Sequence, residues 1–151
     1  MTTFIGDYDC KVDIKGRVTF PAQLKKQMDS VSDGRFVVKK DIFEQCLVLF
    51  PMHEWERQNE IIRNKINPYN REHNKFLRNF YMGSAEIVLD SNNRLLIPKR
   101  LLDLAKITKE AILAGQDGKI EIWSKELYDS AEENQDDFAS LAEKIMGGTL
   151  Y

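Results

Sequence analysis

Residues 12–24 read VDIKGRVTFPAQL, and residues 89–101 read LDSNNRLLIPKRL. Shifted by 77 positions, Asp13 falls on Asp90, Arg17 on Arg94, Pro21 on Pro98 and Leu24 on Leu101. Gly6 falls on Gly83 ahead of them, and the apolar partners agree: Val12 with Leu89, Val18 with Leu95, Phe20 with Ile97. Further on the shift drops to 73, where LFPMHEWE (49–56) aligns with IWSKELYD (122–129), so the second copy is four residues shorter in its middle. A single Asp-x-x-x-Arg pattern is common by chance in a chain this rich in charge. Two in register, each followed at the same distance by Pro and flanked by the same apolar positions, report a duplication. Two copies are too few for a solenoid, which needs at least three to share a continuous core. The repeat therefore predicts a half-domain folded onto its own duplicate.

Both copies have one layout. Residues 6–12 and 83–89 roughly alternate apolar and polar side chains, the period of a half-buried strand. A turn follows. Asp is favoured at its first position, and a later residue in the left-handed region closes a bulge. Asp13–Ile14–Lys15–Gly16 meets that need with glycine; Asp90–Ser91–Asn92–Asn93 meets it with asparagine, the next most tolerant residue. Second strands are predicted at 18–20 and 95–97. Pro21 and Pro98 cannot donate to a ladder but suit the start of short helices, AQLKKQM and KRLLDLA. A hairpin then closes each copy: FVVKK with CLVLF, and AILAG with KIEIW around Asp117–Gly118.

Between the copies, helical stretches flank a break at Asn67–Pro68. Trp55, Ile62 and Ile66 mark one apolar face; Tyr69, Phe76 and Phe80, with Leu77 and Tyr81 beside them, mark another. Ser124 suits the N-cap of a C-terminal helix in which Phe138, Leu141, Ala142 and Ile145 keep helical spacing. These stripes read as core or oligomer contacts. The predicted organisation is one pseudo-symmetric domain over 1–151: repeat one at 7–54, a helical connector at 55–82, repeat two at 83–126 and a C-terminal helix at 127–151.

At 151 residues, with 42% apolar and 30% charged side chains, the chain has the size and composition of one soluble globular domain. It lacks an apolar run of the roughly 18 residues that span a bilayer, and its N-terminus does not read as a signal peptide. Cys10 and Cys46, with no CxxC partner, read as buried reduced thiols, and a cytoplasmic protein is expected. The net charge of −2 hides an asymmetry: residues 1–82 carry 14 basic against 11 acidic side chains, residues 83–151 carry 8 against 13. A pI near 5.8 argues against coating nucleic acid by bulk charge and leaves room for a local basic patch in the first half.

Little in the sequence suggests catalysis. His53 and His73 are the only histidines, neither at metal-ligand spacing, and no GxSxG, P-loop or GxGxxG is present. His53 reads as a surface or capping residue and His73 as part of a solvated face. No enzyme activity, metal, cofactor, small-molecule substrate or membrane partner is expected. Asp13 and Asp90 read as architectural, since a carboxylate opening a turn accepts backbone N–H groups and pairs with the Arg across it. Arg17 can be paired this way and still present donors to phosphate. Lys15 stands near the tip, where no packing need explains a charge. A basic tip on a two-stranded ribbon has a shape that enters a major groove.

With these residues in view, the chain resembles the MraZ proteins, within the wider AbrB/SpoVT/MazE-like superfamily. DIKGRVTFP is close to that family's N-terminal signature. The likeness continues through the opening at 4–6, both Asp-x-x-x-Arg motifs, LFPMHEWE, FLRNFYMGSAE and IEIW. The resemblance implies an α+β fold, mostly β with helices: a pseudo-dimeric double-split β-barrel of swapped hairpins, made from two βαβ-like repeats and capped by helices. It also implies a DNA-binding transcriptional regulator, a repressor, at the promoter of the division and cell-wall gene cluster, its own promoter included. Ring-like homo-oligomers, association with the nucleoid and binding to repeated double-stranded promoter sites belong to the same implication. The family's DNA-reading element falls on Asp13, Lys15, Gly16 and Arg17, and its second copy on Asp90, Asn93 and Arg94. This chain departs from the pattern at Asn92–Asn93, where relatives often have a basic or amide residue and then Gly. The second tip thus has no lysine of its own, and Ile5 replaces an Arg common in relatives. Lys15, Arg17 and Arg94 are the expected DNA contacts; Asp13, Gly16, Asp90 and Asn93 form the expected framework. Two other readings stay open: a ring-forming protein-interaction module that does not bind DNA, and an antitoxin-like protein.

Overall fold

The computed structural model describes residues 2–28, 33–131 and 135–147. Strand β1 (Asp7–Lys11) leads through the first turn to β2 (Arg17–Thr19), helix α1 (Ala22–Gln27) and the hairpin β3 (Arg35–Lys40) with β4 (Leu47–Pro51). Helices α2 (Met52–Lys65) and α3 (Arg71–Tyr81) connect the copies. The second copy repeats the order as β5 (Ala85–Val88), β6 (Arg94–Leu96), α4 (Lys99–Leu104), β7 (Glu110–Gln116) and β8 (Lys119–Ser124). Helices α5 (Lys125–Ser130) and α6 (Gln135–Met146) follow, where the sequence predicts one helix over 127–151; residues 132–134 and 148–151 of that stretch lie outside the described ones.

The copies interleave. Six antiparallel strands run in the order β1-β7-β8-β4-β3-β5, and β2 pairs with β6 in a separate two-stranded sheet. Exchanging the copies reverses the six-strand order onto itself, so a pseudo-two-fold axis passes between β8 and β4. Register fixes the axis to the residue. Val48 faces Glu121 across β4–β8, and Val18 faces Leu95 across β2–β6, each residue opposite its own repeat counterpart. The first strand of each copy serves the other's sheet or extends away from its own: β1 pairs with β7, and β5 with β3.

The α+β class expected from the resemblance holds. The large sheet stays open, with β1 and β5 at its edges, and does not close as a continuously bonded barrel. A single Val12–Val18 bridge ties β1 to β2. Between the sheet and the two-stranded piece lies the main core, where the repeated apolar positions meet: Val12, Val18, Phe20 and Leu24 from one copy, Leu95, Ile97 and Leu101 from the other. Pro21 and Pro98 stand at the N-caps of α1 and α4, extended, their carbonyls accepting from Lys25 and Leu102. This uses the one backbone polar group that proline retains.

On the outer face of the sheet, Trp55 of α2 packs against Phe50 and stacks on Phe80 of α3, with ring centroids 5.5 and 5.9 Å apart. Four of the stripe residues lie outside the core. Tyr69 is 95% exposed, because it belongs to the turn before α3, where its N–H donates to Asn67 Oδ1. Phe138, Leu141 and Ile145 of α6 are exposed, so within one chain that stripe is not core. His73 is no mere solvated side chain: its Nδ1 accepts the Asn67 N–H at 2.9 Å and fastens the α2–α3 turn. Both cysteines are buried free thiols, and burial pushes the Cys10 thiol up to about 11.

Leu95 is fully buried on the axis while its neighbour Leu96 is 57% exposed. Leu95→Ala should destabilise the fold by about 2–5 kcal/mol, and Leu96→Ala should change it by no more than about 0.5 kcal/mol. Denaturant unfolding of both variants checks this, and equal losses would refute the assigned β2–β6 register.

Candidate nucleic-acid interface

Each Asp-x-x-x-Arg motif builds the same bracket. At the first tip, the Gly16 N–H donates to the Asp13 carbonyl at 3.0 Å, and the Asp13 N–H donates to the Arg17 carbonyl at 3.0 Å. Asp13 Oδ1 accepts the backbone N–H groups of Lys15 at 2.9 Å and Arg17 at 2.8 Å, while Oδ2 accepts Arg17 Nε at 2.6 Å. One carboxylate thus holds both the turn and the side chain that follows it. The second tip matches bond for bond. Asp90 Oδ1 accepts the N–H groups of Asn92 at 2.8 Å and Arg94 at 2.9 Å, and Oδ2 accepts Arg94 Nε at 3.1 Å. Both carboxyls lie below the usual carboxylate range. The backbone N–H of Arg17 or Arg94 is the leading cause, with the guanidinium and the tip amide adding to it.

The fourth turn position demands a left-handed backbone, with φ of +87° at Gly16 and +58° at Asn93. Gly16 has a second constraint, since a Cβ there would lie 3.0 Å from the Ile97 carbonyl oxygen and 3.3 Å from Leu102 Cδ1. Glycine fits this close approach; any larger residue would push on backbone. Ile14 and Lys15 stand exposed at the tip.

The arginines are held through Nε alone. Guanidinium carries five N–H donors, so the terminal amino groups of Arg17 and Arg94 have no partner among the described residues, on side chains 31% and 29% exposed. A carboxylate that grips one edge of an arginine fixes its direction and leaves the other edge for a second anion. β2 and β6 pair with Arg17 opposite Leu96 and Arg94 opposite Thr19. Val18 and Leu95 point into the core, which puts both arginines on the other face, two residues apart along the strands, or about 7 Å. The sequence suggests a ribbon made within each copy; the structure makes it from one strand of each, with the Lys15 tip at one end and the Asn92–Asn93 tip at the other.

Lys25, which sequence reasoning missed, joins this surface. It lies in the last turn of α1, and its Nζ donates to Asn93 Oδ1 in the other copy. Only its alignment with the apolar Leu102 could have drawn notice to it.

Elsewhere among the described residues, Asp41, Cys46 and Glu121 bring ligand-type atoms within 4.8 Å of one another. Both carboxylates are already engaged. Asp41 accepts the N–H groups of Phe43 and Glu44 at 3.0 and 2.8 Å, and Glu121 accepts the Trp123 indole N–H at 2.9 Å. Burial pushes the Cys46 thiol strongly up, away from the thiolate a metal needs. The group closes the β3–β4 loop, where the Asp41 N–H donates to the Cys46 carbonyl. No helix among the described residues is long and apolar enough to cross a membrane.

Comparison with known proteins matches this architecture half by half. A family model described as "MraZ protein, putative antitoxin-like" matches residues 3–79 and again 80–146. A protein of Flavobacterium psychrophilum named transcriptional regulator MraZ is 45% identical over 148 residues, covering 97% of this chain and 94% of the relative. Proteins of the same name from Christiangramia forsetii and Cytophaga hutchinsonii are 43% and 38% identical over 150 residues. The matches cover 97% and 99% of this chain, and 95% and 98% of those relatives. With its two halves each matched and its relatives aligned nearly end to end, the chain belongs to the MraZ family.

Proposed function

We infer that this protein is a DNA-binding transcriptional regulator that grips phosphates through the arginine pair on its two-stranded ribbon. The carrying observation is the bracket itself. Asp13 and Asp90 fix Arg17 and Arg94 by Nε and leave their terminal amino groups unpaired on one exposed face. The names of the relatives, transcriptional regulator MraZ, support the same reading. Lys15 adds a cation at the first tip. Since the whole chain is net negative, attraction to DNA is local to this face.

Single chains offer few contacts. A surface that neutralises three or four phosphates binds weakly at cellular salt. Several copies in a ring engage spaced promoter repeats together and gain through effective concentration. The exposed apolar face of α6, with Phe138, Leu141 and Ile145, supports assembly of copies. In this reading each chain acts as one pseudo-symmetric domain, in the cytoplasm at the nucleoid. It represses the division and cell-wall gene cluster, including its own promoter.

Wild type should prefer DNA from upstream of its own gene over unrelated DNA of equal length. Arg17→Ala and Lys15→Ala should each weaken binding and reduce the slope of log K against log salt by about one. Fluorescence anisotropy over a salt series reads both. Equal affinity for both DNAs would favour an interaction module that does not bind DNA; an unchanged Arg17→Ala would remove the bracket from the interface.

The tips must be ordered for this role, and their order depends on ionised Asp13 and Asp90. Both folded pKa values are lowered. Their contribution to stability is therefore full above the unfolded aspartate value of about 3.9. It disappears as pH falls through the lower folded values. NMR titration of the two carboxyl carbons should give midpoints below that of a free aspartate, with the Arg17 and Arg94 amide signals moving in step. Midpoints at or above the free value would contradict the bracket.

A further inference from the structure

The two tips differ at two positions that touch each other. At the first tip, Gly16 lies against Leu102 of α4; a Cβ on Gly16 would stand 3.3 Å from Leu102 Cδ1. At the second tip, the equivalent residues are Asn93 and Lys25 of α1, and Lys25 Nζ donates to Asn93 Oδ1. A glycine beside a leucine has thus become an asparagine beside a lysine. Asn93 still meets the left-handed requirement, with φ of +58°. Unlike glycine, it also supplies an oxygen that anchors a cation. The second tip lacks a lysine of its own, since Asn92 stands where the first tip has Lys15. Its missing charge is returned by the opposite repeat, 68 residues away in sequence.

We propose that Lys25, Asn93 and Arg94 form a composite phosphate-binding site at the second tip, with the lysine contributed in trans by the first repeat. This rests on the DNA-binding reading above. Lys25 is exposed and has no carboxylate partner among the described residues. The two aspartates that share its cleft of about 1010 Å³ are engaged elsewhere. Asp7 accepts from the Tyr128 hydroxyl at 2.8 Å, and Asp9 accepts from Lys125 Nζ at 3.0 Å. Because the amide oxygen of Asn93 faces Lys25, its Nδ2 remains as a donor, next in sequence to the unpaired terminal groups of Arg94. Ammonium and amide donors line one cleft and the Arg94 guanidinium belongs to the next residue of the chain, a set of donors that suits the phosphates of a DNA backbone. Both ends of the ribbon are then basic: Lys15 with Arg17 at one, Lys25 with Arg94 at the other.

The test measures promoter-DNA binding over a salt series with full-length wild type, Lys25→Ala, Lys15→Ala and the double variant Lys25→Ala/Asn92→Lys. Lys65→Ala, at the exposed end of α2, serves as a charge control, and thermal melts confirm folding. Lys25→Ala should weaken binding several-fold and lower the salt slope by about 0.9, one phosphate contact. The double variant, with a lysine restored at the tip itself, should recover both. If Lys15→Ala lowers the slope and Lys25→Ala does not, the composite site is wrong while the DNA-binding reading stands. A loss in Lys25→Ala that Asn92→Lys fails to restore would make Lys25 a support for Asn93 rather than a phosphate contact, and would also overturn the proposal. No preference of wild type for promoter DNA, with flat salt slopes in every variant, would sink the reading and the site together.

Discussion

The fold depends on strand exchange between two copies that cannot complete themselves. The β3–β4 hairpin exposes the edge of β3, and β7–β8 exposes the edge of β7; unpaired backbone groups there would cost free energy if buried. β5 covers the first edge and β1 the second, each arriving from the other copy. β2 and β6 are only three residues long, too short to stand alone. They pair with each other across the axis at Val18–Leu95. One copy alone would leave its hairpin edge and its ribbon strand unpaired and the apolar face of its strands in water. Folding and duplication are in this sense a single requirement.

That constraint gives the Asp-x-x-x-Arg motif its place. The chain must turn between β1, which lies in the large sheet, and β2, which lies in the ribbon, within the five residues 12–16. A carboxylate accepting two backbone N–H groups and one guanidinium N–H holds such a turn without help from the core. In the proposed interface, architecture and binding share a residue. The Asp fixes the turn through backbone, and the same carboxylate fixes the Arg in a direction where its remaining donors meet solvent. A side chain so held loses little further rotamer freedom on meeting phosphate, which lowers the entropic cost of binding.

Much of this was legible in the sequence because it is local or repeated. Asp13, Gly16 and Pro21, with their copies Asp90, Asn93 and Pro98, mark the turns and helix starts through backbone chemistry that each residue carries by itself. Strand periods and the Asp117–Gly118 turn belong to the same class. Pairing partners did not show. That β1 joins β7 rather than β2, and that the ribbon takes one strand from each copy, follows from edges meeting in space. Tyr69 looks like a stripe residue at helical spacing, but the helix starts only at Arg71, after a turn locked by Asn67 and His73. Phe138, Leu141 and Ile145 have the right period, and period alone does not say whether a face meets its own core or another chain.

Lys25 shows what a duplicated fold allows. Near a pseudo-two-fold axis, a residue of one copy faces a motif of the other, so a loss at one position can be offset at a distant one. Had the copies been separate identical chains, a change at the tip would have appeared at both ends of the ribbon, and so would any compensation. Fusion into one chain removes that coupling. Tip one can keep Lys15 and Gly16 with an apolar Leu102 packed behind them, while tip two exchanges glycine for Asn93 and takes its cation from α1. The ribbon stays symmetric in its backbone and its arginines and becomes asymmetric in how its ends are charged, a difference by which, in the proposed interface, a pseudo-symmetric protein would orient itself on DNA that is not symmetric.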